Sequence, residues 1–221
     1  MKELVLLSAD PGTANYGFAV IAVPQPHLRS SLSKFKVLQY GRIHNTVRSL
    51  KENIGPQVLA HSTVLLSLKE RFGAHAFIAE RYQSRRMGGV TIECVNLMLG
   101  VALSAFSRRP VKVLPASQWK NAAARAELWF DELYTSLKPH GVTPHAIDAV
   151  CIGLYGLGMM LKAPSPFHFV NVRQLQSKLL KAEHIDLGEP PPKTPRKTKK
   201  AKRGPSRNKL LPYDRRKSVR G

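Results

Sequence analysis

Three strand-length runs stand at the head of this chain, and helix-length and strand-length segments alternate after them. Glu3 to Ala9 is a short apolar run that ends in the turn chemistry of Asp10-Pro11-Gly12-Thr13-Ala14-Asn15. Tyr16 to Val23, rich in aromatic and β-branched residues, reads as a second strand, and Phe35 to Ile43 as a third. Val58, Leu59, Leu65, Leu66, Leu68 and Phe72 fall at roughly helical spacing in a helix that ends near Gly73. Ala76 to Glu80 is a short buried strand, Val90 to Phe106 a helix, Val111 to Leu114 a strand and Pro144 to Leu161 a helix. The order β-β-β-α-β-α-β-α leaves few ways to fold. Strands in direct succession pair antiparallel, whereas strands separated by a helix return parallel. The expected class is α/β: a mixed five-stranded sheet with helices on both faces.

Charge narrows the partners. The chain has 221 residues, with 35 Lys and Arg against 14 Asp and Glu, a formal net charge of +21. Such a surplus calls for a polyanion, most commonly nucleic acid, and does not distinguish DNA from RNA or an enzyme from a packaging protein. An anionic membrane surface fits less well, because no basic amphipathic helix stands out. The apolar run at the N-terminus is too short for a signal peptide. The stretch Ala146 to Leu161 is interrupted by Asp148 and short for a membrane span, so no membrane partner is expected. Cys94 and Cys151 belong to no Cys-x-x-Cys pair or zinc spacing and read as buried thiols of a reducing compartment.

The charge is also unevenly placed. Residues 190–221 hold thirteen Lys and Arg and one Asp, with six prolines among them. A segment of this kind repels itself and has little to bury, so it should be disordered when free and should bind by counterion release. The expected organisation is a folded domain over 1–185 and a basic nucleic-acid-binding tail over 186–221. In a eukaryotic setting the lysine run Lys197-Thr198-Lys199-Lys200-Ala201-Lys202-Arg203 would also serve as a nuclear address. In a bacterium or phage the compartment would be the cytoplasm or nucleoid.

Acids are scarce, so their positions carry information. Asp10 closes the first strand and Glu80 the fourth, while Asp148 lies one turn into the last long helix with His145 three residues before it. That spacing puts His145 and Asp148 on one helix face. Parallel pairing of strands one and four would set Asp10 beside Glu80 at the carboxyl edge of the sheet. Singly, each residue has an ordinary explanation: Asp10 as a turn former, Glu80 as a partner of Arg81, Asp148 as a first-turn acid, His145 as a capping-region histidine. Together they make a cluster of three carboxylates and an imidazole. Clustered carboxylates repel one another unless a divalent cation lies between them, and oxygen-rich sets favour Mg²⁺ or Mn²⁺.

The motifs resemble a known family. Leu7-Ser8-Ala9-Asp10-Pro11-Gly12-Thr13 with Gly17, then Phe77-Ile78-Ala79-Glu80, then His145-Ala146-Ile147-Asp148-Ala149 are similar, in order, to the three motifs of RuvC-type nucleases of the RNase H-like superfamily. The resemblance covers about residues 4–160. It implies that Asp10, Glu80, His145 and Asp148 hold two Mg²⁺ ions, with Mn²⁺ as substitute, and hydrolyse phosphodiesters to leave 5′-phosphates. For members that resolve Holliday junctions it implies branched DNA as substrate and a homodimer as the acting form.

Beside Glu80 runs Arg81-Tyr82-Gln83-Ser84-Arg85-Arg86-Met87-Gly88-Gly89. Arg81, Arg85 and Arg86 suit phosphate contacts, and Tyr82 resembles the aromatic that resolvases set near the branch point. The same loop also reads as a solvated basic connection. Lys120, in Ser117-Gln118-Trp119-Lys120, matches a stretch where the family has DNA-contacting lysines, while Trp119 itself reads as core. The chain departs from compact resolvases by continuing well past the last helix. Long extensions and a His-x-x-Asp-Ala motif also occur in transposon-encoded RNA-guided RuvC-like nucleases, the alternative enzyme. This chain lacks their arginine-rich bridge helix and has no room for an HNH insert. The alternative of another class is a non-catalytic nucleic-acid-binding protein, which has no reason to hold the acidic quartet.

Overall fold

The computed structural model of the chain describes residues 3–12, 15–24, 29–44, 50–81, 89–128, 130–163 and 165–187. The first five strands lie where the sequence predicts them: β1 (Glu3–Asp10), β2 (Asn15–Pro24), β3 (Lys36–His44), β4 (Ala76–Arg81) and β5 (Val111–Pro115). The expected helices are α1 (Leu50–Phe72), α2 (Gly89–Ala105) and α5 (Pro144–Met160). Helix α1 starts earlier than its apolar spacing implies and takes Pro56 inside. No helix among the described residues is long and apolar enough to cross a membrane.

Four elements went unanticipated: α3 (Ala116–Arg125), α4 (Phe130–Leu137), α6 (Val172–Lys181) and β6 (Glu183–Leu187). The sheet therefore has six strands, not five, in the order β5-β4-β1-β2-β3-β6. Strand β6 lies parallel to β3, pairing Gln39–Ile43 with Glu183–Leu187. It covers what would be a bare edge of β3. Its sequence, Glu-His-Ile-Asp-Leu, has only two apolar residues, too few to announce a strand.

The sheet is mixed as expected. β1 pairs antiparallel with β2, and β2 with β3, while β1 with β4 and β4 with β5 run parallel. Alternation along the strands divides the core in two. Leu7, Ala9, Phe18, Val20 and Phe77 face α1 and α2, where Phe77 stacks on Phe106 at 5.3 Å. Leu4, Leu6, Ala19, Ile21, Ala76 and Ile78 face α5, joined there by residues of α3, α4 and α6. Helices thus cover both faces. Cys94 lies in the first core and Cys151 in the second, both as buried free thiols.

The packing of α5 positions the functional end of the molecule. Thr143 caps its first turn by accepting from the Ala146 N–H at 3.4 Å, and Pro144 opens the helix with its φ already set. The helix then lies close against the strands. A Cβ on Gly17 of β2 would come within 2.0 Å of the His145 carbonyl oxygen, so only glycine lets the first turn of α5 seat there. Gly153 makes similar room for Ser8, whose hydroxyl donates to the Ala149 carbonyl at 2.7 Å. Ser8, two residues before Asp10, therefore ties β1 to α5 next to Asp148, a polar bond in a largely apolar contact.

Candidate active site

The parallel register of β1 and β4 matches Ser8 with Ile78 and Ala9 with Ala79. One step further stand Asp10 and Glu80. Both have the parity of the residues that face α5, so both carboxylates project toward its first turn. There the Nδ1–H of His145 donates across 2.7 Å to Asp10 Oδ2, a contact that becomes an ion pair when the imidazole is protonated. That bond, together with the charges of Asp10 and Asp148, raises the His145 pKa against the effect of burial and of Arg42.

Asp148, one turn along α5, meets two partners from helices the sequence did not announce. Tyr134 of α4 donates its hydroxyl to Oδ1, and Lys120 of α3 stands 3.7 Å from Oδ2. Glu80 accepts from the Trp119 indole N–H at 2.7 Å. Trp119 is fully buried, and the Lys120 ammonium lies 4.9 Å over its ring.

Electrostatically these acids are unsatisfied. Burial first, then the charges of Asp10 and Asp148, push Glu80 up to about 7, although Trp119 and Lys120 pull the other way. Burial and the charge of Asp10 push Asp148 up to about 6 against the Tyr134 hydrogen bond, Lys120 and His145. Glu80 and Asp148 thus feel the charge of Asp10 across the site, and their own partners offset burial only in part. Among the described residues, no three His, Cys, Asp or Glu side chains converge closely enough to grip an ion as they stand. Each carboxylate is instead tied to its own partner. The donor chemistry nevertheless fits a hard divalent cation, because three oxygen donors and an imidazole carry a charge deficit that such an ion would relieve.

The four residues singled out for catalysis, Asp10, Glu80, His145 and Asp148, are therefore brought together at one end of the sheet. Of those expected to touch nucleic acid, Arg81 ends β4 as an exposed residue next to Glu80. Lys120 turns toward Asp148. Tyr82, Arg85 and Arg86 lie outside the described residues, as does the tail expected over 186–221 except for Asp186 and Leu187, which belong to β6. Three contributors were missed. Ser8 could have been noticed as a polar residue two positions before Asp10 in an apolar strand. Trp119 was read as core, which it is, but its N–H reaches Glu80. Tyr134 gave no signal, because α4 itself was not foreseen.

No family profile and no curated protein matches the chain by sequence. Solved structures do match it in fold. The RuvC structure from Thermus thermophilus is 22% identical, with a TM-score of 0.54, over 72% of this chain and 97% of that one. T. thermophilus RuvC in complex with a Holliday junction substrate is 21% identical, with a TM-score of 0.53, over 72% and 96%. Ydc2, a yeast mitochondrial Holliday junction resolvase, is 14% identical at a TM-score of 0.42 over 80% of each chain, too slight a likeness to argue from. With its strand order, its two helical faces and its likeness to the two T. thermophilus RuvC structures, the chain has the RuvC-type, RNase H-like fold.

Proposed function

We propose that this protein is a divalent-metal-dependent endonuclease that cleaves branched DNA such as Holliday junctions. The observation that carries the reading is the gathering of Asp10, Glu80, His145 and Asp148 at one end of the sheet, with Glu80 and Asp148 short of positive charge in a chain with 35 Lys and Arg. A binding protein with so many cations has no use for buried, mutually repelling acids. A phosphodiesterase does. The fold, shared with a RuvC bound to a Holliday junction, supports branched DNA as the substrate class.

Asp10, Glu80, Asp148 and His145 would hold two Mg²⁺ or Mn²⁺ ions. Ions held by such a set supply Lewis acidity for hydrolysis of the phosphodiester. In the reaction a water oxygen bonds to phosphorus as the P–O3′ bond breaks, leaving a 5′-phosphate and a 3′-hydroxyl. His145, hydrogen-bonded through Nδ1 to Asp10, is oriented to ligate or to pass a proton at its other nitrogen. Arg81, with Tyr82, Arg85 and Arg86, would grip phosphates and meet the branch point beside Glu80. Lys120 would move from Asp148 to the DNA backbone when an ion takes its place. The basic tail would add sequence-independent affinity. Symmetric cutting of two strands would require a homodimer.

The test is purified protein with labelled four-way, forked, duplex and single-stranded DNA of matched sequence in Mg²⁺. Preferential nicking of the four-way substrate, with 5′-phosphate ends, is the expected result. Equal cutting of all four would remove the branched-DNA assignment. Binding without cutting of any would return the chain to the class of non-catalytic nucleic-acid binders.

A further inference from the structure

We propose that Trp119 and Tyr134 are positioning residues that fix two carboxylates, Glu80 and Asp148, for the divalent ion, an inference that rests on the metal-dependent reading above. Their geometry is that of one bracket. The Trp119 ring meets the Phe130 ring edge-on at 5.4 Å, and Phe130 stacks on Tyr134 at 6.1 Å and 22°. Three aromatic side chains from α3 and α4 thus form a continuous row. A polar donor stands at each end of it. The indole N–H of Trp119 meets Glu80 Oε2 at 2.7 Å, and the hydroxyl of Tyr134 meets Asp148 Oδ1.

The two carboxylates come from different elements, Glu80 from β4 and Asp148 from α5. One aromatic row therefore spans the two supports of the site. Rings with two side-chain torsions lose little freedom when held, and Trp119 is fully buried. A hydrogen bond from such a ring stops the carboxylate turning about its last bond. Each donor takes one oxygen of its acid, so the acid presents its remaining lone pairs in a set direction. Partners of this kind, one step outside the ligands, change metal affinity by about ten- to a hundred-fold when removed. The simpler account is that a buried N–H and O–H found the nearest acceptors. The two accounts part on metal affinity, which the simpler one leaves untouched.

The experiment measures Mn²⁺ binding to the full chain without DNA, from the paramagnetic resonance signal of free Mn²⁺, at one fixed alkaline pH. Trp119→Phe and Tyr134→Phe each keep a ring and delete the donor. Tyr40→Phe is the control, since it deletes a hydroxyl bonded to the Leu179 carbonyl at 3.2 Å, away from the acids. Both test variants should bind Mn²⁺ about ten-fold more weakly than the parent, and the control should match the parent. Cleavage by the two variants should recover as Mn²⁺ is raised to saturation, which a general packing defect would not allow. Thermal unfolding with and without Mn²⁺ gives a second readout if Trp119→Phe is destabilised, because metal-induced stabilisation should shrink in both test variants and not in the control. Parent-like affinity in either variant overturns the assignment for that residue. If the parent binds Mn²⁺ through Asp10, as an Asp10→Asn variant reports, and both test variants bind equally well, this inference falls alone. A parent that binds no Mn²⁺ overturns it together with the metal-dependent reading.

Discussion

One register row crosses the sheet and holds two kinds of acid. It runs from Asp186 on β6 to Arg42 on β3, Gly17 on β2 and Asp10 on β1, with Glu80 on β4 next. At one end, Asp186 takes a two-pronged bond from Arg42, at 2.9 and 2.7 Å, with His44 at 3.6 Å. Partial burial alone would push Asp186 up, but Arg42, His44 and His184 outweigh it and hold the carboxyl below its ordinary value. At the other end, Glu80 is pushed up to about 7, and Asp148 from α5 up to about 6. Arg42, the arginine of this row, bonds Asp186 in two-pronged fashion, whereas Asp148 meets the more distant, half-exposed Lys120. Gly17 stands between, where α5 must come down. The difference teaches what to test: the carboxyl of Asp186 is held ionised by the chain itself, whereas Glu80 and Asp148 are compensated only in part, as the proposed ligands of a cation would be.

The largest effect should come from the unsatisfied end. Asp10→Asn keeps the shape and the hydrogen-bonding capacity toward His145 but removes the charge proposed to bind metal. Cleavage of a labelled junction should fall by at least about a hundred-fold, while junction binding in EDTA is retained, because the basic contacts are intact. Cleavage near the parent rate would put Asp10 in the same class as Asp186. His145 should respond in graded fashion. His145→Ala should lose most of the activity, and His145→Asp should keep part of it, since a carboxylate still supplies a ligand. Full activity in the alanine variant would make His145 a cap and nothing more.

Glu80 sharpens the contrast through stability. A carboxyl whose folded pKa is raised contributes stability below its unfolded value of 4.5 and loses it as pH climbs through about 7. Metal-free protein should therefore lose on the order of 2 kcal/mol at this position between about pH 5 and about pH 8. Glu80→Gln should abolish that part of the slope and unfold later in urea than the parent at the higher pH, while cleavage is lost. An unchanged slope would show that Glu80 is already neutralised, as Asp186 is. The smallest effect belongs to Asp186→Asn. Its carboxylate is half exposed and its ion pair lies at the surface, so the variant should lose at most about 1 kcal/mol, and cleavage should stay near the parent rate.

Part of this contrast is legible in the sequence. The strands that carry Asp10 and Glu80 are apolar runs bounded by turn residues, and the helix that carries His145 and Asp148 opens at Thr143-Pro144. Local chemistry marks such elements strongly. The satisfied end was not legible, because Asp186 lies in a five-residue strand whose pairing with β3 depends on a contact 144 residues away in sequence, Arg42 with Asp186. The aromatic row was hidden for a related reason. Phe130 and Tyr134 sit in an eight-residue helix, too short for periodicity to reveal. The four residues singled out by sequence come to one end of the sheet, while the partners that bond them, Ser8, Trp119 and Tyr134, gave too little local signal to be read.

Glu80 and Asp148, compensated only in part by the chain, are proposed to be matched by a divalent ion during cleavage. That matching is tested most directly by single-turnover cleavage of a labelled four-way junction by the parent protein in Mg²⁺ and in EDTA, with binding followed in both. The account predicts paired nicks in Mg²⁺, none in EDTA, and bound junction in each. Cleavage that persists undiminished in EDTA, or a bound junction left intact in both Mg²⁺ and Mn²⁺, would contradict it.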